Sequence, residues 1–154
     1  MQRSKPKSSP ELTPRSRALR LLARREHSRA ELERKLKPHV EDKAALAALL
    51  DDLTEHGWIS ETRVVEQLVH AKRGRYGAAR LRQMLLSKGV SDKLIAPALS
   101  KLKGGEVEDA RSVWSRKFKA LPRSREERGR QVRFLQGRGF SFDTAMRVVA
   151  GRED

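Results

Sequence analysis

The sequence predicts an all-α protein of three tandem three-helix repeats forming an elongated, curved helical array. Three observations lead there. Helix caps and apolar stripes recur together with a period near 50 residues, the mark of a helical repeat. No run alternates β-branched with polar residues, and Val64-Val65 falls within helical spacing. Apolar residues are 37% of the chain and charged residues 36%. So thin a core serves an extended stack of helices better than a compact globule.

The elements follow in order. Residues 1–13 are rich in Ser, Pro and Lys and form a disordered basic tail. Thr13-Pro14 pairs an N-cap with proline at the first helical position, and Ala18, Leu19, Leu22 and Ala23 mark the first face. Ser28-Arg29-Ala30-Glu31 is a capping box that opens a helix with Leu32 and Leu36, ended by Pro38. Asp42 caps a third helix with Ala45, Leu46, Leu49, Leu50 and Leu53, which stops at His56-Gly57 before Trp58. This repeat spans 14–59.

The pattern returns over 60–104. Val64, Val65, Leu68 and Val69 mark a fourth helix, and Leu81, Met84 and Leu85 a fifth that ends at Lys88-Gly89-Val90. Ser91 caps a sixth helix with Leu94, Ile95, Ala98, Leu99 and Leu102. The third copy covers 105–151. Ala110, Val113, Trp114 and Phe118 lie on its first helix. Ser124-Arg125-Glu126-Glu127 is a second capping box before Val132, Phe134 and Leu135, and Ser141 caps the last helix, with Ala145, Val148 and Val149. Lys88-Gly89-Val90-Ser91 matches Arg138-Gly139-Phe140-Ser141 at an offset of 50 residues, and Ala45 to Leu53 matches Leu94 to Leu102 at 49. Trp58 and Trp114 are expected in the core at repeat junctions.

The formal net charge is +15, which attracts phosphate. It is unevenly spread. Residues 63–88 carry seven basic side chains against Glu66, and residues 111–138 carry ten against Glu126 and Glu127. Residues 41–61 run the other way, with Lys43 against six carboxylates. One surface is thus expected to be basic and another acidic. The densest cluster is Lys72-Arg73-Gly74-Arg75-Tyr76-Gly77, continuing to Arg80 and Arg82. Its glycines permit close backbone approach to a partner. Tyr76 could stack on a base, but a lone aromatic between helices more often packs.

Several classes are set aside. With no cysteine there are no disulfides, zinc fingers or thiol chemistry, and a reducing cytoplasm fits. The longest apolar run, Ala44 to Leu50, is far short of a membrane span. His27, His39, His56 and His70 lack metal-ligand spacing, and no phosphate-cradling GxxxxGK[ST] is present. The expectation is a cytoplasmic, monomeric binding protein with no catalytic residues, cofactor or metal. The absence of Asn removes one adenine-reading amide and weighs against a sequence-specific DNA reader. A helix-turn-helix repressor or another direct DNA- or RNA-binding protein is the main alternative, although a lone repressor domain does not need three copies. A scaffold for an acidic protein is the third.

Residues Arg17 to Leu32 resemble the opening of the RecX family of RecA regulators. His56-Gly57-Trp58-Ile59 with Arg63 is similar too, as are Arg75-Tyr76-Gly77-Ala78-Ala79-Arg80-Leu81 running to Lys88-Gly89-Val90, and Arg133-Phe134-Leu135 with Arg138-Gly139-Phe140. The likeness covers about residues 15–150. It departs at Ala78, Met84 and Val64, where the family often has proline, an acidic residue and an aromatic. The resemblance implies three three-helix repeats that bind along the groove of the RecA filament on single-stranded DNA. There the family usually restrains filament growth, ATP hydrolysis and strand exchange. Single-stranded DNA alone is expected to bind weakly, without strong sequence preference. The candidate partner and nucleic-acid contacts are Arg24 and Arg25 in the first repeat, with Lys72, Arg73, Arg75, Tyr76, Arg80, Arg82 and Lys88 in the second.

Overall fold

The computed structural model describes residues 12–151. Among them are nine α-helices and no strand. The tail expected over 1–13 lies outside the described residues except for Leu12 and Thr13. The chain packs as two compact units that divide between Ser60 and Glu61.

The N-terminal unit holds α1 (Pro14–Arg24), α2 (Arg29–Leu36) and α3 (Lys43–Glu55). Thr13 caps α1 by accepting from the Ser16 amide, and Pro14 takes the first position, where no amide is needed. Ser28 and Glu31 form both arms of a capping box on α2. Pro38 does not end the helix abruptly; it sits in a 3-10 turn at Lys37–His39. The core is Ala18, Leu32, Leu36, Leu46, Leu50, Leu53 and Ile59. Trp58, expected in that core, is 50% exposed. Gly57 at φ 76° turns the chain, so Ile59 enters the core and Trp58 does not.

The C-terminal unit holds two further three-helix groups. The first is α4 (Glu61–Lys72), α5 (Ala78–Ser87) and α6 (Asp92–Ser100), built on Val64, Val65, Leu68, Leu81, Leu85, Val90, Ile95 and Leu99. The second is α7 (Glu106–Lys117), α8 (Arg125–Gly137) and α9 (Phe142–Val149), built on Ala110, Val113, Val132, Leu135, Phe140, Ala145, Val148 and Val149. The repeat seen in the sequence holds in the packing. Leu46 and Leu50 are buried like Ile95 and Leu99 at the 49-residue offset. Ala45 and its match Leu94 are both exposed, although both were placed on the apolar face.

The turns that follow α5 and α8 are built alike. The Val90 amide donates to the Leu85 carbonyl, and the Phe140 amide to the Leu135 carbonyl, closing a Schellman cap around Gly89 and Gly139. Two caps differ from expectation. Ser91 stands at the start of α6 without a side-chain hydrogen bond. Ser124 accepts from the Glu127 amide, but Glu127 takes its own bond from the Arg123 amide, one residue before the cap, so the box is not closed. Ala78 occupies the first position of α5, where a proline would also fit.

A candidate nucleic-acid interface at the joint of the C-terminal unit

The segment that links α4 to α5 holds the densest run of candidate residues, and its first role is mechanical. The Gly77 amide donates to the Arg138 carbonyl at 2.8 Å, and the Ala79 amide donates to the Gly139 carbonyl at 3.2 Å. Main chain thus meets main chain between the two three-helix groups. The approach leaves no room for a side chain: a Cβ on Gly77 would lie 2.3 Å from the Gly139 oxygen. On the other side, Gly139 at φ 96° lets its backbone come against the Cβ of Arg80. The Tyr-Gly-x-x-Arg segment is therefore a joint: Gly77 is required for space, and Gly139 on the facing turn for both space and its positive φ.

Tyr76 packs at this joint, half-buried against the α4–α6 core. The Arg138 guanidinium lies 5.4 Å from the Tyr76 ring centroid and 5.4 Å from that of Phe134. Such cation–π contacts hold the arginine over the two rings and use none of its N–H donors in an ion pair. Packing, the reading favoured for Tyr76 from sequence, is what the structure shows.

The other candidates separate by whether a carboxylate already holds them. Arg25 donates to Glu31 Oε2 at 2.8 Å and to the Glu26 carbonyl at 2.9 Å. It tightens the α1–α2 turn. Arg82 donates through Nε to Asp92 Oδ1 at 2.9 Å, and Arg73 lies 3.9 Å from Asp109 Oδ2. These pairs are solvent-facing and weak, yet they reduce the local field. Arg24, Arg75 and Arg80 are exposed, and Lys72 and Lys88 are partly so, at the ends of α4 and α5. Arg24 stands in the N-terminal unit beside Arg17, Arg20, Lys35 and His39.

Sequence reasoning passed over Arg116, Lys117, Phe134 and Arg138. With Arg75 and Val113 they line a cleft of about 240 Å³. Arg75 comes from the α4–α5 turn, Arg116 and Lys117 from the end of α7, and Arg138 from the cap of α8. The ten basic residues of 111–138 were visible as a run, but not which of them converge. An apolar groove of about 490 Å³ between α4 and α6, with Val65, Val69, Leu94 and Pro97 on its walls, is a second concavity of this unit.

One buried titratable group lies in the N-terminal unit. His27 is 1% exposed, and its Nδ1 faces the Arg25 carbonyl at 3.0 Å, while Nε2 faces the Lys35 ammonium at 3.2 Å. Nδ1 therefore donates and Nε2 accepts, which fixes a neutral ring. Burial lowers its pKa below the ordinary value, with the Arg25 and Lys35 charges adding to the effect. The Arg15 guanidinium bonded to Asp52 holds that carboxyl below its usual range. Among the described residues no helix is long and apolar enough to cross a membrane.

Models of the three successive three-helix domains of RecX match this chain in order, over residues 15–50, 60–99 and 105–149. A regulatory protein RecX of Leptothrix cholodnii is 49% identical over 140 residues, covering 91% of this chain and 89% of that protein. One of Ralstonia nicotianae is 43% identical over 142 residues, covering 92% and 89%. The crystal structure of RecX from Lactobacillus salivarius superposes with a TM-score of 0.78 at 19% identity, covering 90% of this chain and 93% of that one. The last likeness is one of fold.

Proposed function

The chain belongs to the RecX family, and from that premise we propose that it regulates the RecA recombinase. It docks along the RecA filament on single-stranded DNA and restrains filament growth, ATP hydrolysis and strand exchange. The observation that carries this reading is the ordered match of all three domains, with relatives named regulatory protein RecX similar over nine-tenths of the chain. The charge supports it. A +15 protein with exposed Arg24, Arg75 and Arg80 is drawn towards a polymer already wrapped on DNA, and steering of this kind raises the association rate most. Lys72, Arg73, Arg82 and Lys88 are the further contacts proposed in the C-terminal unit, and Arg25 tightens the turn that follows Arg24. The protein acts as a monomer in the cytoplasm, and its own hold on single-stranded DNA is weak and sequence-tolerant.

The test is RecA-catalysed ATP hydrolysis on single-stranded DNA with this protein titrated in. Hydrolysis is expected to fall as the protein is added, and added salt should blunt the effect. An unchanged rate with the protein in excess over RecA would show that RecA is not the partner. A raised rate would overturn restraint and leave the partner standing.

A further inference from the structure

We propose that the cleft at the joint of the C-terminal unit is a seat for a phosphodiester of single-stranded nucleic acid, held by Arg75, Arg116, Lys117 and Arg138. The inference rests on the reading above, and gives it a site that the linear cluster of basic residues did not.

Four features of the cleft point to this ligand. First, its four cations come from three separated segments and face one opening, and no carboxylate lines it. Secondly, none of the four has an ion pair or a side-chain hydrogen bond among the described residues. Arg25, Arg73 and Arg82, by contrast, each lie within 4 Å of a carboxylate. An oxyanion entering the cleft therefore displaces water rather than an internal partner. Thirdly, two of the cations are placed in advance by an aromatic ring. Phe134 has the Arg138 guanidinium 5.4 Å from its centroid and the Lys117 ammonium 5.7 Å away. A guanidinium held over a ring still has N–H donors for an acceptor, so less rotamer freedom is lost on binding. Fourthly, the volume of about 240 Å³ falls below the usual range for pockets that enclose a drug-sized ligand. It suits a backbone phosphate with its sugar resting on Val113 and Phe134, while the bases stay outside. Such a seat reads no sequence.

The joint itself supports the geometry. Arg138 offers its carbonyl to Gly77 and its guanidinium to the cleft, so the same two main-chain bonds that couple the helix groups fix the distance between Arg75 and Arg138.

The experiment leaves RecA out, so its outcome is separate from that of the regulatory reading. Fluorescence anisotropy of a labelled oligo-dT is followed with the full chain and with R116Q/K117Q. A control, R125Q/R128Q, removes the same charge from two exposed positions in the first turn of α8. The cleft variant is expected to bind about tenfold more weakly, with the slope of log affinity against log salt reduced by about 1.4, for two lost phosphate contacts on a single strand. The control should lose no more than about threefold. Equal weakening by both variants would overturn the seat in favour of the net charge alone. Poly-glutamate that displaces the oligonucleotide as well as unlabelled oligo-dT does would overturn it in favour of an acidic protein. R75Q, in the exposed turn between α4 and α5, must weaken binding on its own; if R116Q/K117Q melts early, R75Q decides the matter.

Discussion

Replacing Gly77 with alanine tests the joint directly. The φ of Gly77 is −82°, which any residue adopts, so the substitution carries no backbone strain of its own. Its effect comes from space. The added Cβ would stand 2.3 and 2.4 Å from the Gly139 oxygen and carbonyl carbon and 2.6 Å from the Phe140 nitrogen, all main-chain atoms that cannot rotate away. The two helix groups must part by about an ångström or more to reach ordinary contact. That breaks or stretches the bonds from Gly77 and Ala79, each contributing about 1 kcal/mol, and leaves the buried Gly77 amide unsatisfied for about 1–2 kcal/mol more. Lower entropy of the unfolded chain returns up to about 1 kcal/mol. The net expectation is a loss of about 2–4 kcal/mol in the C-terminal unit, read by urea denaturation, with faster hydrogen exchange at the amides of residues 77 and 79. G74A is the comparison: at φ 84° with nothing within 4 Å, it carries only conformational strain of about 1–2 kcal/mol. A G77A protein within about 0.5 kcal/mol of wild type, with both amides still protected, would refute the argument.

Gly137 ends α8 with open space around its Cβ position, so G137A should stabilise by about 0.5–1 kcal/mol in the same urea assay. His27 has a lowered pKa, so the unfolded chain takes up its proton near the ordinary value of 6.5 while the folded chain stays neutral. Stability is therefore whole above pH 6.5 and is lost as pH falls through the folded value; melts of wild type and H27Q across this window should differ in slope, and parallel curves would count against it. Reversing Arg73, Arg75 and Arg80 together to Glu should abolish the effect on RecA ATP hydrolysis while shifting folding by no more than about 1 kcal/mol, since all three are exposed and only Arg73 approaches a carboxylate. Wild-type regulation by a variant that melts normally would free these positions of any role.

The helices were legible because each announces itself locally. Thr13, Ser28, Asp42 and Ser141 cap as their positions suggest, and the stripe at Leu46, Leu50 and Leu53 buries as its spacing requires. Trp58 failed because side-chain size argues for burial while a left-handed glycine just before it decides which way the chain turns. The candidate interface was legible only in part, since the cationic cleft depends on partners far apart in sequence. Arg75 and Arg138 share an opening because Gly77 meets Arg138, and no periodicity encodes that meeting. Pairing was equally invisible: Arg25, Arg75 and Arg82 look alike in the sequence, and only the fold brings Glu31 to the first and Asp92 to the third.

The joint also has a kinetic consequence. Each three-helix core forms from contacts within one repeat, so its loops close early and at small entropic cost. The bonds from Gly77 to Arg138 and from Ala79 to Gly139 span about 60 residues and join surfaces that exist only once both cores are made. They belong after the folding transition state, where native contacts have Φ near zero. Perturbing them should leave the folding limb of the chevron in place and lift the unfolding limb, so a single methyl group at position 77 shortens the lifetime of the native unit without slowing its birth.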